Sequence, residues 1–372
     1  MGKIKKILGI ILAAISFITL SVLLVSSFSD RISPYTLSWL PFFGLFFPFI
    51  LCLNILVFAT VLLFRKWKLA LLFLIVFAVC WNSIHTYFPI HSQTEKIPES
   101  CIKLLSYNVM RFEYLKKHTE KDPNAIVKYI VDCDADIICI QEYGTSANSK
   151  KDLNDTDLIK AFRSTPYYHI ERLKPSHSER TYGLAIFSKF PILKIKKVPY
   201  DSQYNGSFVA ELDINGKKVT LINNHLESNK LSHEERTGYY SLTSDINDIN
   251  KEKLENFTHA MYRRLMPAYK TRAVQAQIVS KIVKENKNPY IIVCGDFNDT
   301  PVSYARHKIK GDHLNDAFVD SGNGMGITFN KYRFLFRIDY ILHSKNIKAY
   351  NCTTGALKNS DHYPIQTYFE LK

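Results

Sequence analysis

The sequence predicts an α/β domain that follows a membrane-inserted segment. Residues 1–90 hold only eight charged side chains within long apolar stretches, whereas residues 91–372 hold 41 basic and 33 acidic residues. From Cys101 onward, short runs rich in β-branched and aromatic residues alternate with helical patterns, which is typical of α/β proteins. The 372 residues are enough for one large domain or two ordinary ones.

The composition excludes several classes of protein. With 47% hydrophobic and 13% aromatic residues, the chain has the apolar content that disordered proteins lack. Seven cysteines are too few for a disulfide scaffold, and no C-x-x-C spacing indicates a zinc site. The sequence leaves open whether Cys101 and Cys352 form a disulfide.

Three apolar stretches of the first ninety residues each reach the ~20 residues that a bilayer-spanning helix requires. We expect transmembrane helices at about 7–28, 40–64 and 69–88. Pro41 and Pro48 leave the start of the second helix open. A cleaved signal peptide is the alternative for the first stretch, but the apolar run is long for one and no A-x-A site follows. Residues 91–100 would then be a tether to the domain at 101–372.

Basic residues around these stretches predict their orientation. One basic cluster lies within residues 3–6 and a second within residues 65–68. Because positive residues favour the cytoplasmic side, both clusters are expected there, and three crossings would leave the domain on the outer face. The sequence thus predicts an integral protein of a bacterial-type inner membrane, with a cytoplasmic N-terminus and a periplasmic domain.

Eight strands are expected in the domain from apolar runs bounded by turn residues. They are Ile102–Val109, Asp136–Gln141, Leu184–Ser188, Phe208–Ile214, Val219–Asn224, Tyr290–Cys294, Ile338–Leu342 and Ile365–Glu370. Helices are expected at Pro123–Val131, with proline in the first turn, and at Ala268–Lys284. Asn215-Gly216 predicts a tight hairpin, and the polar region at about 228–266 is interpreted as an insertion.

Polar side chains suited to catalysis or metal binding lie at or near the ends of several expected strands. They are Asn108, Glu142, His225, Asp296, Asn298, Asp339, Asp361 and His362. A strand that ends in a carboxylate, amide or imidazole is a common way to present a site on a rigid scaffold. Each motif alone is more often an ordinary turn, but their recurrence in one chain indicates a single site.

The residue types in this set favour hydrolysis of a phosphate ester. Carboxylate and amide oxygens suit Mg²⁺ or Mn²⁺, and histidines beside carboxylates suit proton transfer or the stabilisation of negative charge. A metal-activated water that attacks phosphorus in line would use both kinds of group. The chain has no Walker loop, so nucleotide-driven phosphoryl transfer is not expected.

In their order along the chain, the motifs resemble those of the endonuclease/exonuclease/phosphatase superfamily. They are Tyr107-Asn108, Gln141-Glu142, Gly183 to Ser188, Asn224-His225-Leu226, Gly295 to Asn298, Arg337 to Leu342 and Ser360-Asp361-His362. The resemblance covers about residues 102–371. It implies a four-layered α/β sandwich, in which two mixed β-sheets pack face to face with helices outside. His225 fits the deoxyribonuclease, sphingomyelinase and tyrosyl-phosphodiesterase branches better than the abasic-site endonucleases.

The resemblance also implies a metal site for Mg²⁺, with Mn²⁺ as the alternative ion. Glu142 resembles the principal metal ligand of the family. By the same resemblance, Asn108 would lie beside it at the metal and the phosphate, and Asp361 resembles a further carboxylate of the metal site.

The remaining residues resemble the catalytic group of the family. Asp296 would orient or deprotonate the attacking water, and Asn298 would position that water or the phosphate. His225 would contact the phosphate or protonate the leaving group. Asp339 would fix the tautomer of His362, which faces the phosphate.

These observations predict a membrane-anchored, Mg²⁺-dependent phosphoesterase that hydrolyses phosphodiesters, as nucleases do, or related esters. A sphingomyelinase-like phosphodiesterase of phospholipid headgroups, or a phosphatase, is the alternative, and a catalytically inactive binding domain is a third interpretation. Nucleic acid and a phospholipid headgroup are both candidate substrates, and the net charge of +8 after residue 90 favours polyanions. The lipid bilayer is the expected partner of the N-terminal helices, and no obligate protein partner is predicted.

Overall fold

A computed structural model of the chain describes residues 2–147, 151–173, 179–200, 202–229, 251–331 and 335–372. Within these residues, twelve strands form two six-stranded sheets. The sheets pack face to face behind a group of N-terminal apolar helices.

The first sheet places two parallel strands at its centre. From one edge to the other it contains β11 (Ile347–Thr354), β12 (Ile365–Leu371), β1 (Ile102–Asn108), β2 (Ile137–Ser146), β4 (Arg180–Ser188) and β3 (Tyr167–Arg172). β1 and β2 are parallel, and every other neighbouring pair of this sheet is antiparallel.

The second sheet repeats this arrangement. Its strands in spatial order are β5 (Ile192–Val198), β6 (Gly206–Ile214), β7 (Lys217–His225), β8 (Tyr290–Asp296), β10 (Asp339–Ser344) and β9 (Leu314–Asp316). β7 and β8 are parallel and the other pairs are antiparallel. The expected hairpin joins β6 to β7, where Asn215 and Gly216 have φ of 53° and 83°, as a two-residue turn of this kind requires.

The apolar core lies between the sheets and on their outer faces. One cluster of buried residues contains strands of both sheets. A second packs α7 (Ala125–Cys133) and α8 (Asp155–Ala161) against the first sheet. A third packs α9 (Lys251–Glu285) and α10 (Tyr304–Lys310) against the second sheet. The order helix, sheet, sheet, helix confirms the expected α/β sandwich of two mixed sheets.

Two further expectations concern the insertion and the two cysteines Cys101 and Cys352. Residues 230–250 of the expected insertion lie outside the described part of the chain, and residues 251–266 belong to α9. Cys101 and Cys352, whose pairing the sequence leaves open, are both free thiols.

The expectation of three transmembrane helices is wrong. Among the described residues, one helix, Lys6–Arg31, is long and apolar enough to cross a bilayer by itself, and it contains most of α1 (Gly2–Ser27). The second stretch is divided into α2 (Leu40–Leu45) and the 17-residue α3 (Phe47–Leu63). The division has a physical cause, since each of these helices begins with proline in its first turn, and proline cannot continue a helix from the preceding one.

The third stretch is bent rather than straight. α4 (Trp67–Val79) and α5 (Trp81–Tyr87) meet at Cys80 with an angle of 65° between them. The pair counts as a second span only if both helices cross a membrane as one unit.

The N-terminal helices pack directly on the α/β sandwich. Val302, six residues after the end of β8, belongs to the apolar cluster of these helices. A side chain at Gly44 would collide with the carbonyl oxygen of Val302, only 2.1 Å from the position of its Cβ. The buried guanidinium of Arg337 donates to the carbonyl oxygen of Thr86 and stacks 4.4 Å from the ring centre of Phe318. The helices are therefore anchored to segments that flank the strand ends of the second sheet.

Candidate active site

The expected site residues meet at one edge of the sandwich. β1 runs parallel to β2 and β7 runs parallel to β8, and a hydrogen bond between Asn108 and Asp296 shows that the carboxyl ends of both pairs reach the same edge. In the ladder of the second sheet, Asp296 lies opposite His225 on one side and opposite Asp339 on the other. Three predicted residues far apart in the chain thus lie next to one another.

Asp296 lies at the centre of the site. Its Oδ2 accepts a hydrogen bond from Nδ2 of Asn108 at 3.0 Å, which joins the two sheets, and its Oδ1 accepts one from the backbone N–H of Asn298 at 2.8 Å. The Nε2 atoms of His362 and His225 lie 3.6 Å and 3.7 Å from the same Oδ2. Burial raises the pKa of Asp296, which favours its use as a proton acceptor.

The expected pair of Asp339 and His362 is present. Nδ1 of His362 lies 2.8 Å from Oδ2 of Asp339, and both side chains are buried. The backbone N–H of Asp339 donates to Oγ1 of Thr328 at 3.1 Å. Burial alone would lower the pKa of His362, but the carboxylates of Asp339 and Asp296 outweigh it and raise the pKa to about 10. His362 is therefore an imidazolium at neutral pH.

His225, unlike His362, is neutral. Burial lowers the pKa of its imidazole, although the carboxylate of Asp296 acts in the other direction. At neutral pH the site therefore holds one cationic and one neutral histidine, each with Nε2 directed at Asp296. The two charge states differ because Nδ1 of His362 contacts a carboxylate, whereas, among the described residues, Nδ1 of His225 does not.

Glu142 approaches the site from the first sheet through a β-bulge. The pairing of β2 with β4 shifts between Ile140 and Tyr143, and Glu142 has a φ of 52°. Burial and the neighbouring charge of Asp361 raise the pKa of Glu142 to about 7. Two neighbouring carboxylates that repel one another are stabilised by a divalent cation, so the side-chain oxygens of Glu142, Asp361 and Asn108 are chemically suited to bind Mg²⁺.

A different group of side chains has the spacing of a metal site. One ligand atom from each of Asp296, Asp339 and His362 lies within 4.8 Å of the others. However, Oδ2 of Asp339 is already bonded to Nδ1 of His362. The bond between Asp339 and His362 therefore competes with an ion for that oxygen.

A left-handed turn, α6 (Met110–Leu115), follows the first strand directly. All six residues have φ between 44° and 74°, and none of them is glycine. The backbone N–H of Met110 donates to Oδ1 of Asn108, and Arg111 packs on Gly144, where an added Cβ would lie 2.8 Å from Cβ of Arg111. Such a conformation costs roughly 1–2 kcal/mol per residue, and the sequence alone did not predict it.

We expect this strain to reverse the usual order of stability, in which an alanine variant of a helix is more stable than a glycine variant. Tyr114, exposed and at φ 58°, should leave the protein about 1 kcal/mol more stable as Tyr114→Gly than as Tyr114→Ala. At the exposed Val131 in the right-handed α7, Val131→Ala should instead be the more stable variant. Thermal unfolding of the four variants measures both differences, and the same order at both positions would contradict a left-handed turn.

Other polar residues at the strand ends are structural. Nε2 of Gln141 donates to Oδ1 of Asn223 at 2.7 Å, which joins the sheets behind the site. Arg272 of α9 donates to the carbonyl oxygen of Glu227 at 2.8 Å and to Asp299 at 3.3 Å. These contacts hold the loops that follow β7 and β8.

One side chain of the site is not among the residues that the sequence predicted. The hydroxyl of Tyr182 on β4 lies 3.4 Å from Nδ1 of His225. Its only signal in the sequence was its position directly before the Gly183 to Ser188 motif.

Comparison with known proteins agrees with this geometry. Residues 105–362 match the model of the Endonuclease/Exonuclease/phosphatase family. The chain belongs to this family. Members of the family are phosphoesterase hydrolases that depend on divalent metal ions, and the expected superfamily is confirmed. Residues 6–87 match a separate domain family of unknown function.

One related sequence and two solved structures illustrate the proteins that this chain is similar to. An inositol phosphosphingolipids phospholipase C of Schizosaccharomyces pombe is 24% identical over 339 residues, which cover 75% of this chain and 70% of the relative. The structure of an endonuclease/exonuclease/phosphatase from Beutenbergia cavernae superposes with a TM-score of 0.51 at 13% identity, covering 73% of this chain and 72% of that one. The human nocturnin catalytic domain has a TM-score of 0.48 at 16% identity, covering 74% and 96%.

Proposed function

We propose that the chain is a membrane-anchored, Mg²⁺- or Mn²⁺-dependent phosphoesterase that hydrolyses phosphodiester or related phosphate-ester bonds. The observation that carries the proposal is the group around Asp296, where a buried carboxylate meets one cationic and one neutral imidazole. A carboxylate in this position can accept a proton from water, while the imidazoles stabilise the negative charge that develops on a phosphate.

The proposal gives each catalytic residue a role toward the water or the phosphate. Asp296 orients or deprotonates the attacking water, and Asn298 positions that water or the phosphate. His362, held by Asp339 at 2.8 Å, presents a positive charge to the phosphate. His225 contacts the phosphate or protonates the leaving group.

Glu142, Asn108 and Asp361 are the proposed metal ligands. The raised pKa of Glu142 beside Asp361 supports this assignment, because an added cation would stabilise both charges. When bound, the ion supplies Lewis-acid stabilisation of phosphate oxygens and makes a bound water more acidic.

The outer surface of the N-terminal helices supports anchoring in a membrane. Ile18, Leu56 and Leu63 on α1 and α3 are more than half exposed, whereas Leu23 and Phe73 are buried between the helices. Helices that are apolar on both their inner and outer faces are stable in lipid rather than in water. We therefore assign the outer faces to the bilayer.

The proposed orientation places the catalytic domain on the outer side. Nζ of Lys66 lies 3.3 Å from the Cβ position of Gly9, so the 65–68 turn is at the N-terminal end of α1, opposite the end that contacts the domain. We expect Lys196→Cys on β5 in spheroplasts to react with a membrane-impermeant maleimide and Lys68→Cys to be protected, since basic ends stay in the cytoplasm. The wild type controls for native thiols, and the reverse labelling pattern would refute this orientation.

Nucleic acid and phospholipid headgroups are the two substrate candidates. The net positive charge after residue 90 supports nucleic acid. Two observations favour the headgroup: the loop after Asp296 reaches the apolar helices at Val302, and the fission yeast relative is named for a sphingolipid substrate. A site that contacts the membrane anchor through its own loop is suited to a substrate in the bilayer.

The test is a substrate panel with the full-length protein in lipid nanodiscs. The panel contains plasmid DNA, RNA, sphingomyelin, phosphatidylinositol, inositol phosphates and bis-p-nitrophenyl phosphate, each with Mg²⁺, with Mn²⁺ and with chelator. We expect turnover that requires the metal and releases a phosphorylated headgroup from lipid. Degradation of DNA with intact lipid would instead support a nuclease. No metal-dependent turnover of any substrate would refute the proposal and support an inactive binding domain.

A further inference from the structure

Tyr182 is positioned by the first sheet but contacts a histidine of the second. It lies opposite Gly144 in the pairing of β2 with β4. A side chain at the next residue, Gly183, would collide with the carbonyl oxygen of Glu171, 2.0 Å from the Cβ position. The close approach of β3 at Gly183 therefore holds this part of β4 in one place, and with it the backbone of Tyr182.

The phenol of Tyr182 contacts the imidazole of His225 at its Nδ1 atom. The hydroxyl of Tyr182 lies 3.4 Å from Nδ1 of His225, and the two ring centres are 6.4 Å apart. The ring of Tyr204 packs edge-on against Tyr182 at 6.0 Å, which restricts rotation of the phenol.

The two histidines of the site thus have different partners at Nδ1. His362 has a carboxylate there, which only accepts hydrogen bonds, so its Nδ1 must carry a proton. His225 has a phenol, which can donate. If the phenol donates, Nδ1 of the neutral His225 is the acceptor, and the proton of the ring is on Nε2, the atom 3.7 Å from Asp296.

The surroundings keep the phenol protonated. Burial and the carboxylates of Glu142 and Asp296 raise the pKa of Tyr182, so the hydroxyl remains a donor. Burial in turn keeps the imidazole of His225 neutral. With a protonated phenol and a neutral imidazole, Tyr182 can donate to Nδ1 of His225, and the carboxylate of Asp296, which only accepts, lies on the Nε2 side of the ring.

We propose that Tyr182 is a positioning residue that holds His225 as the Nε2–H tautomer, with this N–H directed into the site where a substrate phosphate binds. The inference rests on the phosphoesterase function proposed above. It assigns the two histidines unlike tasks: His362 contributes charge and His225 contributes a neutral N–H donor. The residue that contacts Nδ1, Asp339 for His362 and Tyr182 for His225, determines which task each histidine has.

The kinetic test compares Tyr182→Phe with wild type in nanodiscs, using bis-p-nitrophenyl phosphate and Mg²⁺. We expect kcat to fall about 10-fold with little change in KM, the effect typical of losing one hydrogen bond of a neutral pair. In a His225→Ala background, Tyr182→Phe should have no further effect, because the two residues act as a unit. Tyr167→Phe, on the same sheet and exposed, is the matched control. Unchanged kcat, or equal losses in both backgrounds, would overturn the proposal.

A second measurement does not depend on turnover. Nitrogen-15 spectra of histidine-labelled protein should show His225 as the Nε2–H tautomer in wild type and as a mixture of tautomers in Tyr182→Phe. The same tautomer in both proteins would also overturn the proposal. If wild type hydrolyses no member of the panel while the tautomer shifts as expected, the phosphoesterase function fails and the positioning of His225 by Tyr182 stands.

Discussion

Replacing Asp296 with asparagine is expected to lower kcat for phosphoester hydrolysis by about 10³-fold, within the range of general acid–base contributions. Oδ2 of Asp296 is the atom that Nδ2 of Asn108 and the Nε2 atoms of both histidines approach, at 3.0 to 3.7 Å. An amide has the same shape as the carboxylate but cannot accept a proton from water. Steady-state kinetics on the best substrate of the panel measures the loss, and activity above a tenth of wild type would refute the assignment.

The same change should leave the protein at least as stable as wild type. Because burial raises the pKa of Asp296, its charge opposes folding at neutral pH, and asparagine removes that charge. Asp299→Asn is the matched control three residues further on. Asp299 is buried against Arg272 at 3.3 Å and, within the described ranges of the chain, makes no hydrogen bond or ion pair with the histidines of the site, so the folded Asp299→Asn variant should keep its kcat.

Asp339→Asn is expected to reduce kcat by about 10²-fold, since the imidazolium of His362 loses the carboxylate that stabilises it. The 2.8 Å contact and the raised pKa of His362 are the physical basis of this expectation. His362→Ala should cost at least as much, because it removes the positive charge itself.

The double variant of Asp339→Asn and His362→Ala distinguishes pairing from independent roles. If Asp339 acts through His362, the double variant should be little slower than His362→Ala alone. Losses that multiply fully would mean that Asp339 acts on the substrate or the metal by itself. Circular dichroism of each variant checks that the fold is kept.

The sequence predicted the interior strands of both sheets but missed β3, β5, β9 and β11, which are the four sheet edges. Interior strands are covered on both faces and therefore form continuous apolar runs. An edge strand has a solvent-exposed side, where lysines are favoured because they prevent pairing with another chain. β5, with Lys194, Lys196 and Lys197, consequently has no continuous apolar run.

The N-terminal helices were harder to predict for a related reason. Hydropathy identified three stretches of sufficient apolar content, but it does not register a break inside a stretch. Phe46 joins α2 to α3, and Cys80 joins α4 to α5 at 65°. A helix that restarts or bends in this way has lost the length that a straight span requires.

By itself, the sequence determined the α/β class, the residue types at the strand ends and, through their order, the family. It did so because strand periodicity and the chemistry of a side chain are local properties. Only the tertiary structure decided that His362 is charged and His225 neutral, that Tyr182 lies behind His225, and that the loop after Asp296 packs on the apolar helices. These properties depend on contacts between residues far apart in the chain, such as Asp339 with His362, 23 positions apart, and Tyr182 with His225, 43 positions apart. The burial and the charge interactions of these residues arise only after the two sheets have packed.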